Sequence, residues 1–341
     1  MYFDASIEPL DLRSAALAAE AAERVGFDGA WVAETKHDPF LMLGSAALTT
    51  SRISLGTAIA VAFPRSPTIT AYSSWDLARA SDGRFILGLG TQVKAHIERR
   101  FAVHWDAPAA RLRDYIGAVR AVWRCWQTQE PLRYQGEFYT LKLMTPFFDP
   151  GPLPFPNPEP PIFIAGVNPI LCRLAGEVCQ GLHAHPFHTT RYLREAVLPA
   201  VEEGLAAGGR QRGDFQLTTA VFAIVGRGEE RDRQREAVRR HVAFYASTPN
   251  YSAVLELHGW EAQGAQLSRL ARRSRWDDMP TQVTDEMLAE IAVEGDTLAD
   301  AARALHARYM GLLDRASLYL PFTAGEREEE WAEAVGEMRG T

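Results

Sequence analysis

Cysteine is scarce in this chain: three residues in 341, Cys125, Cys172 and Cys179. Cys172 and Cys179 fall on one predicted helix about 10 Å apart along its axis, which exceeds disulfide reach. Buried free thiols in a reducing compartment are therefore expected. No segment approaches the roughly 18 continuous apolar residues of a membrane span. The opening MYFDASIEPLDLRSA also lacks a basic start followed by an apolar run, so a cytoplasmic location with no membrane partner is expected. Positive charge is not in excess either. Lys plus Arg number 36 against 43 Asp plus Glu, a net charge of −7, and no general attraction to nucleic acid follows. The partners expected are a small-molecule substrate and other subunits.

What is present is an ordinary globular composition, 47% hydrophobic and 23% charged, enough for a substantial core. Short apolar runs alternate with longer amphipathic stretches. Strands are predicted at residues 2–7, 30–33, 53–60, 85–89, 162–165, 182–184, 215–225 and 315–320, with helices between them. Glycine-broken runs rich in Ile, Val and Leu fit parallel strands covered on both faces. Eight strands interleaved with helices imply an α/β fold, a (β/α)8 TIM barrel, here one domain over residues 1–341 with two insertion segments. The first, residues 131–161, reads as a hairpin around Gly136 and then a tract holding eight prolines between Pro146 and Pro161. Proline at that density excludes helix and sheet interior, leaving a surface lid or a plain connector. The second, residues 249–291, reads as irregular, a further lid or a subunit contact.

The most informative stretch is residues 53–91. It reads ISLGTAIAVAFPRSP, then a helix with Trp75, Asp76 and Leu77, then SDGRFILGLGT. In order and spacing this resembles the luciferase-like monooxygenase superfamily, in particular its branch of oxidoreductases dependent on the deazaflavin coenzyme F420, and fainter similarity continues to Phe322. The resemblance implies a barrel of the bacterial luciferase-like type and a homodimer or higher homo-oligomer.

In such barrels the active site lies at the C-terminal ends of the strands. After strand two come Glu34 and His37, and the resemblance implies an acidic residue and a catalytic histidine at this position, close to the reactive face of the cofactor. At strand three it implies a non-proline cis peptide bond between Ala58 and Ile59, supporting the ring. Strand four ends in Gly90, Thr91 and Gln92. Gly90 allows close backbone approach, and Thr91 offers a hydroxyl and an amide. Gln92 and Val93 stand where some members of the resembled family have a second glycine and then a carboxylate. Strand five ends in Ala165, Gly166, Val167 and Asn168, with Asn168 a helix cap and Pro169 a first helical residue. The free amides of a helix start form an anion site, so Gly90 and Thr91 are expected to converge with Gly166–Asn168 on one phosphate, which a side chain at position 166 would obstruct. Phe63, His185 and Phe187 are expected to line the substrate pocket.

His183, His185 and His188 open a rival reading as a barrel metallohydrolase, with Asp4, Glu34 and His37 as loosely suited further ligands; the leading reading has no metal. The basic cluster Lys94, His96, Arg99 and Arg100 could attract the acidic tail of F420. Three functional readings follow: an F420-dependent oxidoreductase in which His37 moves the proton that accompanies the hydride, an FMN-dependent monooxygenase using reduced flavin and O2, and a non-catalytic flavin or deazaflavin binding protein.

Overall fold

The computed structural model describes residues 1–156 and 158–340; Asn157, inside the proline-rich tract, and Thr341 lie outside the described residues. Eight strands close into a barrel: β1 (Tyr2–Ile7), β2 (Gly29–Val32), β3 (Ser54–Thr57), β4 (Phe85–Gly90), β5 (Ile162–Gly166), β6 (Gly181–Ala184), β7 (Gln216–Val225) and β8 (Arg315–Leu318). Each pairs in parallel with the next, and β8 pairs with β1. All eight expected strands are present within a residue or two, except that strand three is broken. It stops at Thr57, and Ala60–Val61 resumes pairing with the end of β4.

Parallel strands need crossovers, and the helices that supply them start where the sequence provides caps. Asp11, Asp38, Ser66, Asn168 and Thr297 each accept a backbone N–H with their side chains, and proline occupies the first turn after Asp38, Ser66 and Asn168. Such a cap satisfies donors that would otherwise be orphaned, and proline there loses nothing because its missing N–H had no helical partner. Among the described residues no helix is long and apolar enough to cross a membrane.

The proline-rich insertion is a connector. Its short hairpin, Tyr134–Gln135 with Thr140–Leu141, is held by Asp114, which accepts from the Tyr134 hydroxyl (2.5 Å) and the Phe138 N–H (2.5 Å). The tract then runs down the helix Pro67–Ala80. Trp75 Nε1 donates to Gly151 O (3.0 Å), Arg79 donates to Pro150 O (3.1 Å), and Pro161 O receives Leu87 N at the entry to β5. A proline-rich strip cannot supply ladder donors, so tryptophan and arginine side chains bind its carbonyls instead.

The expectation of an irregular segment at 249–291 is corrected. It contains the helices Ser252–His258, Glu261–Arg272 and Asp285–Ile291, and a further strand, Ala292–Gly295, pairs with the outer half of β7. The helices are short, with paired buried positions such as Val254 with Leu255 and Met287 with Leu288, so their period is hard to read across so few turns. Gly259 in the left-handed region closes the first, and the Thr284 side chain caps the third. Residues 222–295 thus form an excursion that leaves the barrel along β7 and returns over its mouth.

Candidate active site

Alternation along each strand sorts the barrel interior into layers. Asp4, Trp31 and Arg315 close its N-terminal end: Arg315 grips Asp4 through two bonds (2.8 and 2.7 Å), and Trp31 Nε1 donates to the same carboxylate (2.8 Å). Phe163 and His183 pack on Trp31 above them. One step further toward the C-terminal end, the inward positions carry Ser6, Ala33, Ala58 and Ala165, and all four are partly or largely exposed although their strands are buried. Small residues at successive inward positions leave open space there, bounded below by a filled layer. A cavity of about 800 Å³ lies at the opposite end, beside Arg315 and Gln216. Arg24, Arg315 and Arg339, which line it, are each engaged by a carboxylate. Barrel chemistry belongs to the other end, so the small-residue mouth is the candidate site.

The break in β3 is the best organised feature of this mouth, and the Ala58–Ile59 bond within it is cis. Thr57 Oγ1 donates to Gly88 O (2.6 Å) and accepts Gly88 N–H (2.8 Å), so a side chain replaces the ladder where the chain swings away. Ala58 N–H bonds Val32 O, and Ile59 O accepts Glu34 N–H. The Glu34 carboxylate accepts Val61 N–H and pairs with Arg65 (both 2.7 Å), and the other arm of Arg65 holds Asp38 (2.7 Å). Arg65 is the residue of the Arg-x-Pro word, and its sequence context gave it no role. Burial acts to lower its pKa, but its two carboxylate partners outweigh that and hold it above the ordinary value.

Of the expected catalytic pair, Glu34 is therefore committed to the bulge through Arg65 and Val61. His37 is half-buried on the same loop, and no hydrogen bond or ion pair engages its ring among the described residues. The loop is fixed around it by Asp38, which caps the next helix (Phe40 N–H, 2.8 Å), and by Arg100, which donates to Thr35 O (3.0 Å).

The two loops expected to form a phosphate cradle are neighbours, because β4 and β5 pair directly. Asn168 caps its helix as expected, accepting Leu171 N–H (3.2 Å). Val167 O accepts the Tyr192 hydroxyl (2.8 Å). Thr91 Oγ1 donates to Gln92 O, and Gln92, at positive φ, accepts Val93 N–H on its own side chain. The glycines act differently from expectation. A Cβ on Gly90 would lie 2.6 Å from Ile59 Cδ1, so Gly90 makes room for Ile59. At Gly166 a Cβ would face away from the mouth and meet Leu182 Cδ1 at 2.8 Å and Leu171 Cβ at 3.4 Å. The expected obstruction of a phosphate by a side chain at 166 is thus corrected: the position is small for the sake of packing between β5, β6 and the helix. Gly166→Val is accordingly expected to destabilise the fold by about 1–3 kcal/mol in urea denaturation through overpacking, with cofactor affinity changed less than about threefold.

Phe63 and Phe187 are buried, at 4% and 1% exposure. Phe63 sits against Trp105, with the Arg111 guanidinium over its ring, and Phe187 backs Tyr245 and Tyr251. Both therefore support the wall. His185 is half-buried, with ring centroids of Tyr245 and Tyr251 at 4.5 and 4.6 Å. These two tyrosines and Tyr319 are the site residues that sequence reasoning missed. The histidines do not assemble as a metal centre. His183 lies in the barrel interior with its pKa pushed down to about 3 by burial, and Asp4 is spent on Arg315. Among the described residues no group of three or more His, Cys, Asp or Glu side chains is placed to hold a metal ion. Burial likewise raises the Cys172 and Cys179 thiols to about 12, which makes them inert core residues.

The model of the luciferase-like monooxygenase family matches residues 4–315, and the chain belongs to that family. The uncharacterized protein Rv1360 of Mycobacterium tuberculosis is 47% identical over 315 residues, covering 92% of this chain and 91% of that one. An F420-dependent glucose-6-phosphate dehydrogenase of Intrasporangium calvum is 28% identical over 242 residues, 66% of this chain and 67% of its own. In fold, the chain matches the coenzyme F420-dependent tetrahydromethanopterin reductase of Methanopyrus kandleri with a TM-score of 0.79 at 21% identity, over 99% of this chain and 98% of that one. The protein is an enzyme of the oxidoreductase and monooxygenase class that this family comprises.

Proposed function

We propose that the chain is an F420-dependent oxidoreductase that moves a hydride between the deazaflavin and a small organic substrate. The observation that carries this reading is the bulge at Ala58–Ile59, clamped by Glu34 and Arg65 at the edge of a mouth whose inward residues are small. A flat tricyclic ring fits such a place, with Ala58 and Ile59 behind it, Ala165 beside it, and the Thr91 and Val167–Asn168 loops toward its phosphate. The deazaflavin supplies the hydride acceptor or donor at its ring carbon. The protein's own part is to fix that ring, exclude water and move a proton at His37. Glu34 is a positioning residue in this scheme, since both its backbone N–H and its carboxylate hold the bulge.

F420 is favoured over FMN by the relatives named for it and by the basic cluster after β4. Lys94, His96, Arg99 and Arg100 are all exposed on or beside the helix Lys94–Arg99. Arg99 has no carboxylate partner among the described residues and is available to an acidic tail. A second reading, an FMN monooxygenase, is favoured by the family as a whole. Titration of the purified chain with F420 and with FMN, followed by fluorescence, separates them. Micromolar F420 binding with weak FMN binding is expected, and the reverse overturns the F420 assignment. Arg99→Glu, which spares the bond from Arg100 to Thr35 O, is expected to weaken F420 alone, by less at high salt.

The same proposal includes a homodimer. Leu41 and Leu48, on and just after the helix Pro39–Ala47, and Leu17 on Leu12–Val25 are all more than half exposed. Thr49 Oγ1 reaches Ala16 O (3.1 Å), so Leu17 and Leu48 flank one seam. Sedimentation equilibrium showing a monomer would remove that element.

A further inference from the structure

The two sides of the mouth differ in chemistry. On the β1–β5 side the inward residues are small. On the β6–β8 side the positions above Ala220 and Ser317 carry Phe222 and Tyr319, and beside them His185 meets Tyr245 and Tyr251, which the excursion after β7 brings over the opening. The rings touch one another: Phe222 and Tyr319 have centroids 4.7 Å apart, and Tyr245 and Tyr251 5.7 Å. The proposed hydride transfer makes no use of this wall.

The Tyr245 and Tyr319 hydroxyls lie within hydrogen-bond reach of each other (3.4 Å), and the His185 ring is left with a free donor. Phe187 N–H donates to His185 Nδ1 (3.0 Å), so Nδ1 is the acceptor and the proton sits on Nε2. Nε2 has no protein partner among the described residues and is not sealed from solvent. Burial pushes His185 down to about 3 and Tyr251 up to about 12, and Tyr245 is raised as well, so the wall carries no charge near neutral pH. Among the described residues no arginine or lysine makes a hydrogen bond, ion pair or cation–π contact with these three side chains. The chain has no lysine beyond Lys142, so none can come from β5 onward.

We propose that this wall binds a neutral cyclic or aromatic substrate carrying a carbonyl or hydroxyl oxygen, the ring lying against Tyr245 and Tyr251 and the oxygen accepting from His185 Nε2–H. Stacking and T-shaped contacts favour a ring there. A carboxylate or phosphate would be stripped of water with no cation to meet it, a loss that exceeds what one neutral donor returns. The inference rests on the reading of this mouth as an oxidoreductase site and specifies which molecules enter it.

Acetophenone and benzoate test it, since they share a ring and nearly a size and differ in charge. Each is titrated by calorimetry into the full chain loaded with F420, while F420 affinity is read separately from its own fluorescence. Acetophenone is expected to bind saturably and benzoate at least about 10-fold more weakly. His185→Phe keeps the ring packing and deletes the Nε2–H donor together with the Nδ1 acceptor of Phe187 N–H, and is expected to weaken acetophenone about 3- to 10-fold with F420 affinity unchanged. Benzoate binding as tightly as acetophenone, no saturable acetophenone binding, or an unchanged affinity in His185→Phe overturns the proposal. Should the variant fail to fold, the comparison of the two probes on the parent chain still decides. Poor F420 binding together with discrimination between the probes overturns the cofactor reading and leaves this one standing; the probe titrations are then run on the chain without F420.

Discussion

Replacing His37 with Asn is expected to lower F420-coupled turnover by about 10²- to 10⁴-fold, the range for a positioned general acid or base, while F420 affinity stays within about twofold. Both carboxylates of the β2 loop are already engaged: Glu34 holds Val61 and Arg65, and Asp38 holds Phe40 and Arg65. The His37 imidazole has no hydrogen-bond or ion-pair partner among the described residues, on a loop anchored at Thr35 by Arg100. Asn keeps a polar side chain of similar reach but has no group that exchanges a proton near neutral pH. The split is diagnostic, because a residue that merely packed against the cofactor would alter affinity along with turnover. Turnover within threefold of the parent returns His37 to a structural role.

The barrel was legible because parallel strands buried on both faces leave a strong, local mark, short runs such as FILGLG and IFIAG bounded by glycine and proline. The capped helix starts were equally local: Asn168–Pro169 and Ser66–Pro67 specify their geometry within a few residues. Direction within a strand was harder to read. Gly166 looked like a ligand-facing glycine, yet period-two alternation from the inward Phe163 turns it outward, against Leu182. The functional wall was least legible. Tyr245 ends a charged helix and Tyr251 lies in the short turn after it, about 60 residues beyond His185, and Tyr319, after β8, joins them through the Tyr245 hydroxyl, so distant parts of the sequence meet only through the excursion along β7. Arg65 belongs to the same class of residue. Its motif was visible, but its role depends on two carboxylates 27 and 31 positions away.

Arg315→Met is expected to cost about 3–5 kcal/mol of stability, because it leaves the Asp4 carboxylate charged, buried and unpaired at the closed end of the barrel. The pair is almost completely enclosed, with side-chain exposures of 4% for Arg315 and 1% for Asp4. Arg315 also lies over the rings of Tyr2 and Trp31, so its loss removes two cation–π contacts as well. The residual Trp31 Nε1–H bond to Asp4 (2.8 Å) can satisfy only part of one carboxylate oxygen. Removing both charges should be far milder. The double variant Asp4→Leu, Arg315→Met replaces an ion pair by apolar side chains of comparable volume, a change that is often neutral. Here it strands Trp31 Nε1–H without an acceptor, so a residual loss of about 1–3 kcal/mol is expected for that buried donor. Urea unfolding of the parent, the two single variants and the double gives the coupling directly. The single Arg315→Met falling within about 1 kcal/mol of the parent would mean that Asp4 is protonated or solvated in place, and the account of the barrel floor as a closed ionic plug would be wrong.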